Sequence, residues 1–412
     1  MAAIGDMFYA WAADAACQEK GECGGAVTAL LTHALASGMV DAVLAVKKGQ
    51  DIYDAVPTFI TDPAEIAQTA GSLHCGTLLL SKLIKKYLDG ANDMRLGVTV
   101  KGCDAMGIYE LAKRNQVNLD NLLLIGVNCG GSVSPVAARR MIAAKFGVNP
   151  DDVVKEEIDK GQFIIQTKDG QHKGISMDEL EEEGFGRRSN CRRCKMKVPR
   201  QADLACGNWG VIGEKAGKAT FVEVCSEKGA NLLDAAVKAG AIASEPANPK
   251  GIEIRGKVEN AMLKLGDKWR AKDFAALGEG KERLQKMMED ASRCIKCYAC
   301  IENCPICYCV ECSTKKTYLV PPGELPVPFM FHLIRFAHIA DSCVNCGQCE
   351  ENCPMEIANS LYMHALQTDM EKMFGHTPGV NMNLPILALV EEKAERERLS
   401  ATGSDQIFNV FE

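Results

Sequence analysis

The apolar positions of the first 240 residues follow two alternating patterns. Between Val27 and Leu35 apolar residues repeat at helical spacing, and they predict a helix that starts after Gly24-Gly25. The apolar runs Ala42–Val46, Arg95–Val100 and Leu122–Asn128 are short and continuous, which is typical of buried strands. Helices and strands therefore alternate along this part of the chain.

Further elements fit between and after these strands. Helical patterns cover about Thr77–Leu88, Asp104–Arg114 and Pro135–Phe146, and a last strand and helix are predicted over Thr220–Cys225 and Asn231–Lys238. Strand–helix–strand order favours a parallel sheet with helices on its faces. The sequence thus predicts an α/β domain.

The remaining segments predict smaller features. Phe163–Lys168 and His172–Met177 flank Asp169-Gly170 and predict a hairpin, while the acidic residues 178–183 predict a solvated helix. Residues 241–258 are rich in Pro, Gly and charge, which is typical of a linker. The domain prediction is an α/β domain over 1–240, a linker and helix over 241–284, a small α+β domain over 285–374, and a tail over 375–412 that could act as a docking arm.

Charge and hydropathy exclude several kinds of partner. The net charge of -7 and the lack of a long Lys/Arg stripe argue against nucleic acid. No apolar run reaches about 18 residues, so no membrane span is expected. The N-terminus carries Asp6 and Asp14 in place of a basic start and an apolar stretch, so a secretory signal is not expected either. We therefore expect a cytoplasmic protein.

Cysteine is the unusual feature of the composition. The chain has 20 cysteines, and eleven of them lie between Cys294 and Cys353. In a chain of 412 residues without a secretory signal, this density indicates metal or redox chemistry more than disulfides.

Two cysteine runs near the C-terminus have the same spacing. Each has the form Cys-x2-Cys-x2-Cys-x3-Cys-Pro, beginning at Cys294 and at Cys343. This run binds [4Fe–4S] clusters, and its fourth cysteine ligates the other cluster of the pair. We therefore assign one cluster to Cys294, Cys297, Cys300 and Cys353, and the other to Cys343, Cys346, Cys349 and Cys304.

Zinc also uses Cys-x2-Cys pairs, and it is the alternative for a single run. Two complete runs, each ending in Cys-Pro, favour iron–sulfur clusters. Between the runs lie Cys307, Cys309 and Cys312, which could bind another metal or be packed as free thiols.

Four cysteines of the α/β domain also lie at positions where they could ligate a cluster. Cys103 and Cys129 follow predicted strands, at the sheet edge where open α/β folds bind ligands, and Cys191 and Cys194 form a Cys-x2-Cys pair. Together they could hold a third cluster, with Cys206 as an alternative ligand. The nearby Arg192, Arg193, Lys195 and Lys197 would offset its negative charge, or form a solvated basic loop.

Several motifs resemble one known family. ECGGAVTALLTHALASGMVDAVLAV, GSLHCGTLLL, LGVTVKGCDAMG, LIGVNCGGSVS and the NCRRCKMKVPRQADLACGNWGVIG stretch occur in the order found in the coenzyme F-420 (F420) hydrogenase/dehydrogenase beta-subunit family. The resemblance covers roughly residues 15–240. It implies a domain that binds FAD and one [4Fe–4S] cluster and passes hydride between the flavin and F420. With the C-terminal pair, three clusters are expected.

The resemblance also implies positions for these cofactors. The flavin would lie near Gly24, Gly25, Thr28, Gly71, Ser72, Lys101 and Gly102, and the cluster ligands would be Cys103, Cys129, Cys191 and Cys194. Many relatives have Gly-Ser-Lys-Tyr where this chain has Gly71-Ser72-Leu73-His74. The chain has no Gly-x-Gly-x-x-Gly motif, so a dinucleotide-binding domain of the usual kind is not supported.

The fused C-terminal cysteine runs point to the formate-linked members of the family. This implies an oxidoreductase subunit without an acid–base catalytic residue of its own, whose partner is a molybdopterin or tungstopterin formate dehydrogenase alpha subunit. Heterodisulfide reductase is a further candidate partner. Two alternatives stay open: a hydrogenase-linked F420 reductase subunit, and a flavin-free iron–sulfur adaptor between partner enzymes.

Overall fold

The computed structural model describes residues 1–309 and 311–382. Its strands are β1 (Met7–Ala12), β2 (Ala42–Lys48), β3 (Ala55–Ile60), β4 (Leu96–Val100), β5 (Leu122–Val127), β6 (Val153–Asp159), β7 (Gln162–Thr167), β8 (His172–Ser176), β9 (Leu204–Gly207), β10 (Thr220–Val224) and β11 (Ile242–Pro246). Its helices are α1 (Ala15–Lys20), α2 (Ala26–Ala36), α3 (Ser81–Tyr87), α4 (Gly102–Ala112), α5 (Pro135–Met141), α6 (Met177–Glu182), α7 (Ser189–Arg192), α8 (Glu227–Lys238), α9 (Pro249–Leu277), α10 (Gly280–Ala291), α11 (Ala299–Glu302), α12 (Phe329–Ile339), α13 (Gln348–Glu351) and α14 (Asn359–Phe374).

The chain forms two compact units that are interleaved in sequence. The first contains Met1–Leu80, Ala91–Ala105 and Asp120–Trp269, and the second contains Ser81–Gly90, Met106–Leu119 and the described residues of 270–382. The α/β domain predicted over 1–240 thus contributes two short segments to the unit that holds the C-terminal cysteines. The two units are defined by contacts between residues in space, whereas the domain boundaries predicted from the sequence were placed where the composition changes.

The first unit is built on an eight-stranded sheet of order β11-β1-β10-β9-β5-β4-β2-β3. Strands β9, β5, β4 and β2 are parallel, while β3, β10, β1 and β11 add antiparallel pairs at the two sides. The α/β class is confirmed, and the predicted parallel sheet is present in the central strands β9, β5, β4 and β2 but does not extend to the strands on either side. The reason is that β2 and β3 are joined by a short turn, and β1 was not recognised as a strand.

Apolar residues explain the centre of this sheet. Strand β5 reads Leu-Leu-Leu-Ile-Gly-Val and its first five residues are buried, as expected for a parallel strand covered on both faces. Helices α2 and α8 bury their apolar residues against one face, where Leu30, Leu31, Leu232 and Leu233 share one core with strand residues. Helix α2 matches the predicted helix to within one residue at each end.

A smaller sheet of order β6-β7-β8 follows β5 and α5 in the chain. It contains the predicted hairpin, and β6 is an additional strand. The acidic helix α6 is not solvated throughout, because Glu181 is buried and receives hydrogen bonds of 2.5 and 3.0 Å from Arg187. A buried carboxylate that is paired with arginine looks the same in sequence as an exposed one.

The predicted linker over 241–258 is wrong. Residues 242–246 pair with β1 as an edge strand, and helix α9 begins at Pro249. Proline is tolerated at a strand end and in the first turn of a helix, so the prolines that suggested a linker mark element boundaries instead.

The described residues of the second unit form helices and turns and contain no strand. The α+β architecture predicted for residues 285–374 is therefore not what the structure has there. Most of the tail at 375–412, named as a possible docking arm, lies outside the described residues. Among the described helices, none has the length and apolar character needed to cross a bilayer.

Candidate functional site

One edge of the large sheet collects the carboxyl ends of its parallel strands. The strand register places the ends of β4, β5 and β9 at this edge, together with the end of β1 and the start of β10. Ligands of open α/β folds bind at such an edge. The chain segments that follow these strands carry most of the predicted site residues of the first unit.

The four cysteines predicted to hold the third cluster come together at this edge. Cys103 lies in the first turn of α4 after β4, Cys129 follows β5, and Cys191 and Cys194 lie in and just after α7. Burial raises the pKa of Cys103, and so do the nearby charges of Asp104, Cys129 and Cys194. Burial also raises the pKa of Cys129, with contributions from Cys191 and Cys194. Three separate chain segments thus deliver four neighbouring thiols.

Several positive charges lie near these thiols, together with the buried carboxylate of Asp104, which pairs with Lys101 at 3.1 Å. Burial raises the pKa of Cys191, but the charges of Arg188 and Lys197 and hydrogen bonds from Ser132 outweigh it, so the pKa is lowered. Lys197 is 1% exposed and its Nζ donates to the Cys191 carbonyl oxygen at 3.3 Å. The Lys101 charge acts on Cys103 and Cys129. Such a setting suits an anionic, thiolate-ligated cluster.

The basic segment around Cys191 and Cys194 is therefore not a solvated loop. Arg193 is 1% exposed, and the Arg192 guanidinium lies 4.4 Å from the centre of the Trp269 ring. The sequence analysis did not single out Arg188. It lies three residues before Cys191, and closeness in sequence to this cysteine is the same signal that identified Arg192 and Arg193.

Cys206, the alternative ligand, lies elsewhere. It is fully buried on β9 in the core between the sheet and helices α2 and α8. Burial raises its pKa to about 12, and the charged groups that act on it are Arg255 and Cys225, none of the four clustered thiols. Cys206 therefore behaves as a small apolar core residue.

The C-terminal cysteines of the second unit form two sets. Burial raises the pKa of Cys294, and the neighbouring charges that raise it further are those of Cys297 and Cys353. Burial likewise raises the pKa of Cys300, with contributions from Cys294, Cys297 and Cys304. Cys353 belongs to the second run in sequence, yet it lies with the first three cysteines of the first run.

The reciprocal exchange holds for the other set. Burial raises the pKa of Cys346 well above its usual range, and the charges of Cys304, Cys349 and Cys343 add to it. Cys304 also acts on Cys349. Cys304 thus lies near cysteines of the second run as well as near Cys300 of its own run, and Cys353 lies near Cys294. The assignment of these cysteines to two clusters stays a prediction. Within residues 1–309 and 311–382, no three His, Cys, Asp or Glu side chains are close enough for a single metal ion. The ligands of a cube each bind a separate iron atom, so they stand farther apart than those of one ion.

A buried arginine stands beside both sets. Arg335 lies in α12, is 5% exposed, and its charge interacts with Cys304, Cys349 and Cys300. Its Nη2 donates to the Cys300 carbonyl oxygen at 3.0 Å, whereas its buried Nε has no hydrogen-bond partner among the described residues. A buried cation with an unused donor fits an anionic cluster. In the sequence, Arg335 could have been recognised as an arginine within the mostly apolar helix Phe329–Ile339.

Of the residues implied to contact flavin, those at the start of α2 and those after β4 lie at the same sheet edge of the first unit. Helix α2 starts there, and its N-cap, Gly25, has no side-chain cap. The segment of Gly71 and Ser72 leads to Leu78, whose carbonyl oxygen accepts a 2.9 Å hydrogen bond from Lys101 Nζ. Position 24 also requires glycine for a steric reason, because a Cβ atom there would overlap the Lys218 carbonyl oxygen.

A buried carboxylate anchors the segment of Gly71 and Ser72. Glu156 on β6 accepts 2.7 and 3.2 Å hydrogen bonds from the backbone N–H groups of His74 and Cys75, and its second oxygen lies 2.9 Å from His74 Nδ1. His74 therefore fixes this segment to the small sheet. Glu156 belongs to none of the sequence motifs, so its role was missed.

Models of one protein family match most of the residues of the first unit. Two models describe the coenzyme F420 hydrogenase/dehydrogenase beta subunit, and the N-terminal one covers residues 7–85 while the C-terminal one covers residues 93–250. Among curated proteins, the F420-dependent formate dehydrogenase 1 subunit beta of Methanococcus maripaludis is 52% identical over 92% of this chain and 97% of its own length. The chain belongs to the coenzyme F420 hydrogenase/dehydrogenase beta-subunit family.

Other members of the family are similar over different lengths. The F420-dependent formate dehydrogenase subunit beta of Methanocaldococcus jannaschii is 50% identical over 90% of this chain and 96% of its own length. The coenzyme F420 hydrogenase subunit beta of Methanothermobacter thermautotrophicus is 26% identical over 56% of this chain. A chain of the F420-reducing [NiFe] hydrogenase complex from Methanosarcina barkeri superposes with a TM-score of 0.55 at 19% identity, covering 66% of this chain and 93% of that one, which shows a shared fold.

Proposed function

We propose that this chain is the electron-transfer subunit of an F420-dependent formate dehydrogenase. In this role it links formate oxidation on a partner subunit to the reduction of F420, in either direction. It is an oxidoreductase subunit whose own residues hold cofactors and bind F420, and no side chain is assigned as an acid or base.

This proposal rests on how much of the chain is similar to known formate dehydrogenase subunits. The two formate dehydrogenase subunits are at least half identical to this chain over nearly their whole lengths, including the cysteine-rich C-terminal part. The hydrogenase subunit of Methanothermobacter thermautotrophicus matches 56% of the chain. The formate-linked function therefore accounts for both units, whereas the hydrogenase-linked alternative accounts for the first.

Three [4Fe–4S] clusters and one FAD are the proposed cofactors. The grouping of thiols supports one cluster on Cys294, Cys297, Cys300 and Cys353, a second on Cys304, Cys343, Cys346 and Cys349, and a third on Cys103, Cys129, Cys191 and Cys194. When bound, such clusters carry single electrons and a flavin exchanges them for the hydride of F420.

The sheet edge supports the place of the flavin. Gly24 and Gly25 precede α2 and Thr28 lies in its first turn, Gly71 and Ser72 lie in a loop, and Lys101 and Gly102 lie between β4 and the start of α4. A helix N-terminus and a lysine favour a negatively charged group such as the pyrophosphate of FAD.

The partner subunit would hold the molybdopterin or tungstopterin at which formate is oxidised. Heterodisulfide reductase is the further proposed partner, with residues 375–412 as a docking arm. Deleting residues 383–412 from the full complex should then abolish co-purification with heterodisulfide reductase while formate-dependent reduction of F420 is kept. Unchanged co-purification would exclude this role of the tail.

Cofactor content and reduction by F420 test the proposed function directly. The chain is produced anaerobically, its iron, sulfide and flavin are counted, and reduced F420 is added. About twelve iron atoms per chain, one FAD and bleaching of the cluster absorption are expected for three four-iron clusters and a flavin. About eight iron atoms, no flavin and no bleaching after FAD is supplied would instead indicate the flavin-free adaptor.

A further inference from the structure

A cavity of the second unit is lined by an excess of positive charge. Its volume is about 550 Å³, and five lysines line it against two carboxylates, those of Glu302 and Glu311. The lysines come from α3 and from the segment after Cys312, and they are Lys82, Lys85, Lys86, Lys315 and Lys316. The lining therefore carries three more positive than negative groups.

The two carboxylates pair with only some of these lysines. Glu302 lies 3.4 Å from Lys86 and 3.6 Å from Lys315, and Glu311 lies 2.9 Å from Lys316. Among the residues that the structure describes, no carboxylate forms an ion pair with either of the two remaining lysines, which both lie in α3. The uncompensated charge is therefore on the α3 side of the cavity.

These two lysines, Lys82 and Lys85, are one helical turn apart, a spacing at which like charges repel each other. Lys85 is held in place, since its Nζ donates a 2.7 Å hydrogen bond to the carbonyl oxygen of Cys307. Burial lowers the pKa of Lys85 and the charge of Lys82 lowers it further, while the nearby Cys307, Cys309 and Cys304 oppose this shift. An anion between the two ammonium groups would relieve their repulsion.

The cavity also lies next to a proposed cluster ligand. Cys307 lines the cavity, and its backbone N–H donates a 3.4 Å hydrogen bond to the carbonyl oxygen of the buried Cys304. An anion that is held by Lys85 would therefore stand near the cluster proposed on Cys304. Because a cluster gains negative charge on reduction, a nearby anion disfavours the reduced state.

The size and chemistry of the cavity indicate the class of ligand. Sites for small molecules usually have volumes of about 300–1,000 Å³, and this cavity lies within that range. A protein partner would instead need a surface of about 800 Å². Lysine ammonium groups donate strong hydrogen bonds to carboxylate and phosphate oxygens. The cavity therefore suits a small molecule that carries several such groups.

We propose that this lysine-lined cavity binds a small polyanion, a molecule with at least two carboxylate or phosphate groups, and that the bound anion makes the neighbouring cluster harder to reduce. Binding needs only the residues of the cavity, whereas the effect on reduction rests on the proposed function and its cluster on Cys304. Such a site lets the concentration of an anionic metabolite control electron flow through the second unit.

Isothermal titration calorimetry of the anaerobic full chain, with its clusters in place and its iron counted afterwards, tests binding. The probes are tricarballylate with three carboxylates, fructose bisphosphate with two phosphates, acetate with a single charge, and the cation spermidine. Tricarballylate and fructose bisphosphate distinguish a carboxylate ligand from a phosphate ligand.

At least one of the two polyanions should bind at least about tenfold more tightly than acetate, because a basic cavity concentrates anions, and high salt should weaken this binding. Spermidine should not bind in the cavity. Failure of both polyanions to bind more tightly than acetate would overturn the proposal.

Variants locate the binding site. The double change Lys82→Gln and Lys85→Gln should weaken polyanion binding at least about tenfold and keep the iron content. Lys82→Glu leaves the hydrogen bond of Lys85 intact and should weaken binding as well. The matched control is the double change Lys281→Gln and Lys372→Gln, which removes the same charge outside the cavity and should leave binding unchanged. Equal losses in the cavity variants and the control would overturn the assignment of the site.

Redox titration followed by electron paramagnetic resonance tests the effect on the cluster. A saturating polyanion should shift one C-terminal cluster of the unaltered chain to a more negative potential, and it should cause no shift in the double variant of Lys82 and Lys85. Binding without any shift would overturn the effect on reduction. An iron count too low for two C-terminal clusters would instead overturn the proposed cofactors, so the two failures are distinguishable.

Discussion

Arg335 Nη2 donates a 3.0 Å hydrogen bond to the carbonyl oxygen of Cys300, and the same buried guanidinium faces Cys304 and Cys349 of the second set. One positive charge thus stands beside both proposed C-terminal clusters. Because a cluster gains negative charge on reduction, a nearby cation stabilises the reduced state.

Replacing Arg335 by Gln should therefore lower both cluster potentials. A unit charge about 7 Å away at an effective dielectric constant of about 20 contributes about 2 kcal/mol, which is about 100 mV for one electron. Redox titration followed by electron paramagnetic resonance measures the shift. Arg335→Lys keeps the charge and should shift the potentials by much less. Equal shifts in both variants would mean that packing, and not charge, is the cause.

The third cluster can be removed separately. Cys129→Ala should lower the iron content from about twelve to about eight per chain, since a four-iron cluster loses one of its ligands. Reduced F420 should still bleach the flavin, but the C-terminal clusters should be reduced much more slowly.

Cys206→Ala is the matched control for this change. Cys206 is fully buried in the core, away from the four clustered thiols, so the variant should keep its iron and lose about 1 kcal/mol of stability. If Cys206→Ala loses iron and Cys129→Ala does not, the ligand assignment is wrong.

The contact between His74 and Glu156 should make stability depend on pH. Burial lowers the pKa of His74, but the hydrogen bond and charge of Glu156 outweigh it, so the pKa is raised. The charged contact therefore stabilises the fold below the unfolded pKa of about 6.5, and this contribution is lost as pH rises through the folded pKa.

His74→Gln should thus destabilise the protein more at pH 6 than at pH 8.5, as measured by thermal unfolding with iron retention as a check. His172→Gln, a change at an exposed histidine on β8, should show no such difference. A destabilisation by His74→Gln that is independent of pH would exclude the ionic contact.

The exposed side chain of Ser72 allows a charge test of the flavin site. Ser72→Asp places a carboxylate where the flavin phosphates are proposed to bind, and it should weaken FAD binding by about tenfold, which corresponds to about 1.4 kcal/mol. Ser72→Asn has the same size without the charge and should bind FAD nearly normally. Fluorescence titration of the flavin-free chain measures both, and equal affinities would move the phosphates away from Ser72.

The sequence by itself determined the local features of this protein. Helical spacing over Val27–Leu35 and apolar runs such as Leu122–Asn128 predicted elements that the structure contains, because their periodicity depends on neighbouring residues alone. The two Cys-x2-Cys-x2-Cys-x3-Cys-Pro runs also predict two clusters that exchange their fourth cysteines, since short loops limit which thiols can converge, and this ligand assignment stays a prediction.

Only the tertiary structure decided what depends on residues that are distant in sequence. The mixed sheet, the strand at Ile242–Pro246, and the assignment of residues 81–90 and 106–119 to the second unit follow from long-range pairing. Likewise Arg335, Glu156 and Cys206 are ordinary residues in their local sequence. Their roles come from burial next to other segments, where a charge or a thiol meets a low-dielectric surrounding that the linear sequence does not encode.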